Sequence, residues 1–421
     1  MLTSELILKR KVILVCLIAN AITFYNFTLC GAYISTLGKL FFPPESNFSS
    51  ILGGIIVFSA AFITRPLGGF AFGYIGDKYG RKRALTLSKI LEGLPTLIIS
   101  LLPTYEHIGI TAPCLLLFCR LFQGLCTGGG YNGAGVFMLE YINFKPGLIS
   151  GLLSASCVVG ALLATISAVV VSSYPNFEHG WRIPFLLGSV IIFFSFYIKK
   201  IARETEDFIS KKPIQSLPIV ELLRKFPKQY ILSILTGALN GLLCYTLFGF
   251  LNIYLTMYIG MKITNSLFYN VFGLLSFMIS CLVFGHLYDM KSHKKQSLFI
   301  FSLVTVSTSW ASFLFLKKTH VSSVILGQIL LGIGVGAFVG PCHAFLQKQF
   351  SPEVRYTGVA SGFSLGMALS GSTTLLLMNF VIDQLNYTMA PAVVILIATY
   401  LWFIAYKIMK RKKTKRISKK T

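Results

Sequence analysis

Long apolar stretches recur along the whole chain, and they constrain its fold more than any other feature of the sequence. About 20 consecutive apolar residues are enough to cross the hydrocarbon core of a bilayer as an α-helix. Hydrophobic residues make up 54% of the chain and charged residues only 12%, which excludes an ordinary soluble globular protein. The pattern predicts twelve membrane-spanning helices, near residues 12–37, 48–76, 83–103, 111–139, 147–173, 183–199, 230–258, 264–288, 296–316, 321–347, 357–382 and 388–408.

A long polar segment, residues 200–229, separates the first six predicted spans from the last six. We therefore expect an all-α membrane protein with two six-helix bundles. The predicted domains are an N-terminal bundle over 1–199, a cytoplasmic linker over 200–229, a C-terminal bundle over 230–408 and a basic tail over 409–421.

The distribution of basic residues predicts how the spans are oriented. If the N-terminus faces the cytoplasm, 30 of the 38 Lys and Arg residues lie in inward-facing segments and 5 in outward-facing ones. Cytoplasmic loops of membrane proteins are enriched in these residues. Both termini are therefore expected in the cytoplasm, and the net charge of +24 reflects topology and contact with lipid head groups rather than nucleic-acid binding.

Two short patterns occur once in each half of the chain. The pattern Gly73-x-x-x-Asp77 recurs 212 residues later as Gly285-x-x-x-Asp289, and the segment 147–151 recurs 211 residues later. Such internal repeats are typical of transporters in which two related halves flank a binding site near the bilayer midplane.

The charged loop after the second predicted span combines glycine, an acid and bases. Glycine allows close approach of helices at Gly73 and a short turn at Gly80. Asp77 can accept hydrogen bonds from Arg81, and Glu140, at the inner end of the fourth span, is a second predicted partner of Arg81. We predict a cytoplasmic gate formed by Gly73, Asp77, Gly80, Arg81, Glu140 and Asp289.

The same loop resembles the signature loop of the major facilitator superfamily. Residues 65–69 (Arg-Pro-Leu-Gly-Gly) and 181–185 (Trp-Arg-Ile-Pro-Phe) are similar to segments of its metabolite:proton symporter branch, which includes proline/betaine, 2-oxoglutarate, citrate and shikimate carriers. The resemblance covers nearly all of the chain. It implies a monomer in the inner membrane, with two pseudo-symmetric six-helix bundles. By resemblance, the protein would transport an organic acid, proline or a betaine across the membrane together with protons, by alternating access and without a cofactor.

Three positions depart from that branch. Thr23, Asn26 and Gly130 stand where its usual patterns have carboxylates. A helical rise of about 1.5 Å per residue places all three near the bilayer midplane. Because proton coupling needs a group that can titrate, uncoupled uniport or exchange is an alternative to symport.

Four ionisable residues lie deep in the predicted spans: the acid Glu92 and the bases Arg65, Lys89 and Arg120. Lys89 and Glu92 are three residues apart and can pair on one helix face. A buried Arg is costly unless it faces water, backbone carbonyls or an anion, so we predict that Arg65 and Arg120 favour a substrate with a carboxylate. Structural binding of backbone carbonyls is the alternative. The predicted substrate and ion cavity comprises Asn20, Thr23, Asn26, Arg65, Glu92, Arg120, Gly130 and Tyr131.

Other classes of function have less support in the sequence. The nine cysteines lie in apolar runs, where we expect buried free thiols, and they lack metal-ligand spacing. No nucleophile–base pair or phosphate-binding loop indicates an enzyme, so neither catalysis nor a metal is expected. A sensor that binds solute without moving it is a further alternative, although the short tail and linker leave little room for a signalling domain.

Overall fold

The computed structural model describes residues 2–43, 47–142, 144–174, 179–211, 216–290, 294–318 and 320–417. Every regular element within these ranges is a helix. Among them, twelve helical stretches are long and apolar enough to cross a membrane, which confirms the prediction of twelve spans.

The chain divides into two compact units. The first comprises Met1–Ile142 and Ser156–Pro218, and the second comprises Asn143–Ala155 and Ile219–Thr421. The final boundary, between 218 and 219, falls inside the polar segment 200–229. The bounds predicted for the four domains from the sequence remain predictions. The helices of the chain up to this boundary are α1 (Leu2–Ala32), α2 (Ile34–Phe41), α3 (Asn47–Tyr79), α4 (Arg81–Leu101), α5 (Tyr105–Ile108), α6 (Thr111–Tyr141), α7 (Pro146–Ser172), α8 (Arg182–Gly188), α9 (Ile191–Ile201) and α10 (Glu206–Ile209).

The second unit contains the helices after α10, except for Pro218, which is the first residue of α11. It also contains the residues of α7 up to Ala155. They are α11 (Pro218–Lys225), α12 (Pro227–Tyr245), α13 (Leu251–Ile253), α14 (Ile263–Met290), α15 (Lys294–Leu316), α16 (Val321–Val339), α17 (Cys342–Gln347), α18 (Arg355–Leu385) and α19 (Ala390–Ile417). Two π-helical segments, Thr246–Phe250 and Tyr254–Tyr258, flank α13.

Four predicted spans depart from a continuous α-helix. The first breaks at Tyr33 and the sixth between Gly188 and Ile191. In the seventh, the wider π-helical turn leaves the Leu247 carbonyl available, and the side-chain amide of Asn270 donates to it at 3.0 Å. The tenth ends at Val339 and resumes at Cys342, directly after Pro341, which cannot donate a helical hydrogen bond.

Glycines allow close contact between α3 and α6. A Cβ atom on Gly68 would lie 1.7 Å from the Leu125 carbonyl oxygen. On α6, a Cβ on Gly124 would lie 2.1 Å from the Ala61 carbonyl oxygen, and one on Gly128 would lie 2.0 Å from that of Arg65. The spacing Gly-x-x-x-Gly on α6 therefore brings the two backbones together, as in other membrane helix pairs.

The segment 181–185 contributes to an aromatic core at one end of the first unit. The Trp181 ring packs edge-on against Phe41 and Phe185, with ring centroids 5.7 and 6.0 Å apart. Arg182 donates to the carbonyl oxygens of Ser100 and Leu102, each at 2.9 Å, and so satisfies the C-terminal end of α4.

The cysteines are free thiols, and seven of the nine are buried. The prediction that all would be buried is wrong for Cys114, which is exposed on α6, and for Cys244, which is half-buried. Apolar runs predict burial in lipid or protein alike, so they could not predict which face of a helix each cysteine occupies.

Substitution of Gly128 by Ala should lower the free energy of unfolding by about 1–3 kcal/mol, because the new methyl group meets the Arg65 carbonyl oxygen. The measurement is the thermal unfolding midpoint of purified protein in detergent. Gly249→Ala is the matched control, since the nearest atom to its added Cβ is 3.6 Å away. Equal midpoints for the two variants would contradict the close packing of α3 and α6.

Candidate functional site

A narrow pocket in the first unit contains half of the predicted cavity residues. The empty space between its atoms is about 220 Å³. Its lining comes from α1, α3, α4 and α6, and consists of Thr23, Asn26, Phe27, Ala61, Glu92, Arg120, Gln123, Gly124 and Thr127.

The other four predicted cavity residues do not line this pocket. The side-chain amide of Asn20 donates to Ser156 Oγ at 2.8 Å. The Arg65 guanidinium lies over the Phe27 ring, with its carbon 4.5 Å from the ring centroid. Tyr131 packs edge-on against another ring of α1. Cation–π and aromatic packing therefore account for much of the burial of Arg65 and Tyr131.

A buried cluster joins Lys89, Thr23 and Glu92. The Lys89 ammonium donates to Thr23 Oγ1 at 2.5 Å and forms an ion pair with Glu92 Oε2 at 3.5 Å. The Thr23 hydroxyl also lies 3.1 Å from Glu92 Oε2. All three side chains are at most 1% exposed. The predicted pairing of Lys89 with Glu92 is confirmed, and Thr23 completes it from α1.

Gly130 faces the same cluster from α6. A Cβ atom at Gly130 would lie 3.0 Å from Ser88 Oγ and 3.4 Å from Lys89 Nζ. Those contacts are already tight, so the side chains of α4 occupy the space beside this glycine. The hydroxyl of Ser88 and the ammonium of Lys89 therefore both lie beside Gly130.

A chain of hydrogen bonds through neutral groups connects Arg120 to the cluster of Lys89, Thr23 and Glu92. Its Nη1 donates to Gln123 Oε1 at 2.7 Å, and Gln123 Nε2 donates to Thr96 Oγ1 at 2.7 Å. Thr96 Oγ1 in turn donates to the backbone carbonyl of Glu92 at 3.1 Å. Arg120 Nε also lies 3.4 Å from the Val57 carbonyl oxygen. Arg120 is 1% exposed, and its Nη2 has no hydrogen-bond partner among the described residues.

Asn26 lines the pocket beside the interruption between α8 and α9. Its side-chain amide donates to the Gly188 carbonyl oxygen at 3.2 Å. Within the described ranges, its side-chain oxygen accepts no hydrogen bond. The Asn26 oxygen faces the backbone of Gly188, where an added Cβ would lie 1.9 Å from it, so Arg120 Nη2 is the group that we consider for a polar ligand.

Sequence reasoning missed Gln123, Thr96 and Thr127 as parts of this site. Gln123 and Thr127 lie three and seven residues after Arg120, which places them on the same face of α6. That spacing was visible in the sequence. The bond from Gln123 to Thr96 joins two helices, so only the tertiary structure could identify it.

Four predicted gate residues meet at the junction of α3 and α4, where Gly80 joins the two helices. Arg81 Nη1 donates to Asp77 Oδ1 at 2.7 Å, and Arg81 Nε donates to Glu140 Oε2 at 3.2 Å. The three charged side chains are buried. Both predicted partners of Arg81 are therefore present, and Gly73 is buried on α3 nearby in sequence.

The segment after α9 also packs against this junction. The Glu204 carboxylate accepts hydrogen bonds from the backbone N–H groups of Arg81 and Lys82, each at 3.1 Å, and so caps the N-terminus of α4. Thr205 Oγ1 donates to Glu140 Oε2 at 2.7 Å. Gly80 has a φ of +120°, and a Cβ there would lie 2.3 Å from Glu204 Oε2. The sequence prediction of a linker did not include this capping role.

Asp289 belongs to the second unit, where it caps a different helix. Its two carboxylate oxygens accept hydrogen bonds from the N–H groups of Gly147 and Leu148, each at 2.8 Å. These N–H groups stand at the N-terminus of α7, where the helix dipole favours a negative charge. The aspartate of the repeated Gly-x-x-x-Asp pattern therefore accepts hydrogen bonds in each unit: Asp77 from Arg81 in the first, and Asp289 from the start of α7 in the second.

Removal of the Arg81 charge should destabilise the first unit by about 3–5 kcal/mol, because Asp77 and Glu140 would then be buried without their cation. Thermal unfolding of Arg81→Met in detergent measures this. Arg83→Met is the matched control, since Arg83 is exposed two residues away. A similar loss in both variants would show that the buried contacts of Arg81 contribute little.

The docking of residues 203–211 should weaken as pH rises. Burial raises the pKa of the Glu204 carboxyl above its ordinary value of 4.5, while the N–H groups of Thr205 and Lys82 act in the opposite direction. Because the pKa is higher when the segment is docked, protonation of Glu204 favours docking. This contribution is fully present below about pH 4.5 and is lost as pH rises through the pKa of the docked state. Hydrogen exchange of this segment, corrected for intrinsic rates, should therefore show less protection at neutral than at acidic pH.

Glu204→Gln should abolish that pH dependence, because an amide does not titrate, whereas Glu206→Gln should retain it, because Glu206 is exposed. Unchanged pH dependence in Glu204→Gln would assign the effect to another group.

Comparison with known proteins agrees with the sequence patterns and the fold. The sequence profile described as Major Facilitator Superfamily matches residues 13–362. The proline/betaine transporter of Escherichia coli (strain K12) is 27% identical over 95% of this chain and 83% of its own length. The glycine betaine/proline/ectoine/pipecolic acid transporter OusA of Dickeya dadantii (strain 3937) is 30% identical over 86% of this chain and 76% of its own length.

Solved structures share the architecture at low identity. The proton:xylose symporter XylE, bound to 6-bromo-6-deoxy-D-glucose, aligns with a TM-score of 0.71 and 13% identity, over 96% of this chain and 95% of its own. The transporter FucP in the outward conformation aligns with a TM-score of 0.70 and 12% identity, over 94% of this chain and 98% of its own.

Proposed function

The chain belongs to the Major Facilitator Superfamily, and on this premise we propose that it carries a small metabolite bearing a carboxylate by alternating access. It is a multi-pass secondary transporter of small solutes rather than an enzyme. Its named relatives carry proline, glycine betaine and related solutes, each of which has a carboxylate group. A carboxylate is thus the chemical feature that a shared binding mode would recognise.

Arg120 is the observation that carries this proposal. Its guanidinium is buried in the pocket, and its hydrogen bonds go to neutral groups, so its charge is not cancelled by them. A guanidinium forms its strongest hydrogen bonds with carboxylates and phosphates. Nη2 is available as a donor within the described structure, and a solute carboxylate would satisfy it.

Glu92 is the group that we propose for proton coupling. It lines the same pocket as Arg120 and is the acid among the described lining residues. In the symport mechanism, Glu92 would carry the proton that accompanies the solute. The pairing with Lys89 also favours a second candidate, uncoupled uniport or exchange, because Lys89 already provides Glu92 with a positively charged partner in place of a coupling ion.

We place the protein in the cytoplasmic membrane with both termini in the cytoplasm, on the distribution of its basic residues. The family resemblance is our reason for proposing a monomer. In this orientation the clusters around Arg81 and Asp289 lie at the cytoplasmic ends of the spans and act as the inner gate. Lipid and the solute, with protons in the symport mechanism, are its partners.

Replacement of Arg120 by Gln should reduce solute uptake at least about tenfold, because the carboxylate would lose its charged partner. The measurement is uptake of labelled proline, glycine betaine, 2-oxoglutarate, citrate and shikimate by proteoliposomes, with and without an imposed proton gradient. Lys39→Gln is the matched control, since Lys39 is exposed on α2. Unchanged uptake by well-inserted Arg120→Gln would refute carboxylate binding by this residue, and uptake that ignores the gradient would favour uniport or exchange.

A further inference from the structure

We infer that Lys89 makes the pocket of the first unit selective for solutes with a net negative charge. The ammonium group of Lys89 neutralises Glu92, so that the charge of Arg120 is left to bind a solute anion. This inference rests on the proposed carboxylate transport and names its substrate class: organic carboxylate anions rather than zwitterions such as proline or glycine betaine.

The first step concerns the charge of Glu92. A zwitterion has an ammonium group as well as a carboxylate, and in a buried site that ammonium needs a negative or strongly polar partner. Glu92 is the pocket's acid, but its Oε2 is already held by Lys89 and Thr23. Because the pair Lys89–Glu92 has no net charge, the pocket has no uncompensated negative charge for a solute's ammonium group.

The second step concerns where Lys89 lies. Its ammonium contacts Thr23, and it faces the open side of Gly130. These are two of the three positions at which the sequence resemblance leads us to expect acids. A cation therefore lies beside positions at which negative charge was expected, and the electrostatic preference of this space is inverted.

The third step is the balance of charge deep in the first unit. Lys89 and Arg120 are each at most 1% exposed, and Glu92 is the buried acid among the described residues that line the pocket. The formal balance of these three side chains is an excess of one positive charge, and charges act over longer distances in a poorly solvated interior than in water. A net anion offsets this excess, whereas a zwitterion does not.

The test compares net-anionic and zwitterionic probes in proteoliposomes that contain the full chain. Labelled 2-oxoglutarate, citrate and shikimate are the anions, and labelled proline and glycine betaine are the zwitterions. At neutral pH, the wild-type protein should take up at least one anion about tenfold faster than either zwitterion. Faster uptake of a zwitterion than of every anion would overturn the inference.

Lys89→Met should release Glu92 and reduce the ratio of anion to zwitterion uptake at least about tenfold. Lys89→Arg keeps the cation and should keep the wild-type preference. Lys39→Met removes an equal charge at an exposed position and should leave the ratio unchanged. A ratio in Lys89→Met equal to that of the wild type would refute the role of Lys89.

The double variant Lys89→Met, Glu92→Gln keeps the test decisive if the single variant does not fold. It removes the Glu92 carboxylate together with its ammonium partner and restores the excess of one positive charge, that of Arg120, so anion preference should return. Loss of that preference in a folded double variant would overturn the inference.

The two levels of the proposal fail in different ways. Absence of uptake for every probe, or uptake that is indifferent to Arg120→Gln, would contradict the proposed function. Uptake that depends on Arg120 but shows the same charge preference with and without Lys89 would contradict only the inference about substrate class.

Discussion

The structure depends on one constraint: polar and charged groups in the spans must find their partners within the protein. Hydrocarbon provides no hydrogen bonds, so each unsatisfied buried group costs several kcal/mol. Within each helix the backbone groups bond to one another. The polar side chains and the backbone groups at the helix ends are those that still need hydrogen-bond partners. Arg182 at the end of α4, Asn270 beside the π-helical turn and Asp289 at the start of α7 are all solutions to it.

The two buried ionic clusters of the first unit differ in how completely they meet this constraint. Arg81 donates to two carboxylates and to the Gly76 carbonyl oxygen, and Glu204 adds a cap to the backbone beside it. The deeper cluster is less balanced, because Arg120 has neutral partners and a donor without one among the described residues. A fully satisfied cluster favours one conformation, whereas an incompletely satisfied one is suited to bind a ligand. This contrast is consistent with a gate at the first and a substrate site at the second.

Much of the site could be predicted from spacing along a single helix. The pair Lys89–Glu92 and the contact of Arg81 with Asp77 are three and four residues apart, so both follow from helix geometry. Glu140 as a partner of Arg81 followed from its position at the inner end of a span. Three of the contacts that sequence reasoning missed join segments far apart in the chain: Thr23 with Lys89, Gln123 with Thr96 and Glu204 with the start of α4. No local pattern encodes which helices become neighbours.

The sequence by itself determined the membrane class, the number of spans, the related halves and the family, because these depend on the length of apolar stretches, the placement of charge and short motifs. Only the tertiary structure decided which predicted cavity residues share a pocket. It separated Arg120, which lines the pocket, from Arg65, which packs on Phe27. It also placed Lys89 beside both Thr23 and Gly130. The physical reason is that the charge of a buried site depends on distances between helices, and these distances are set by how the helices pack.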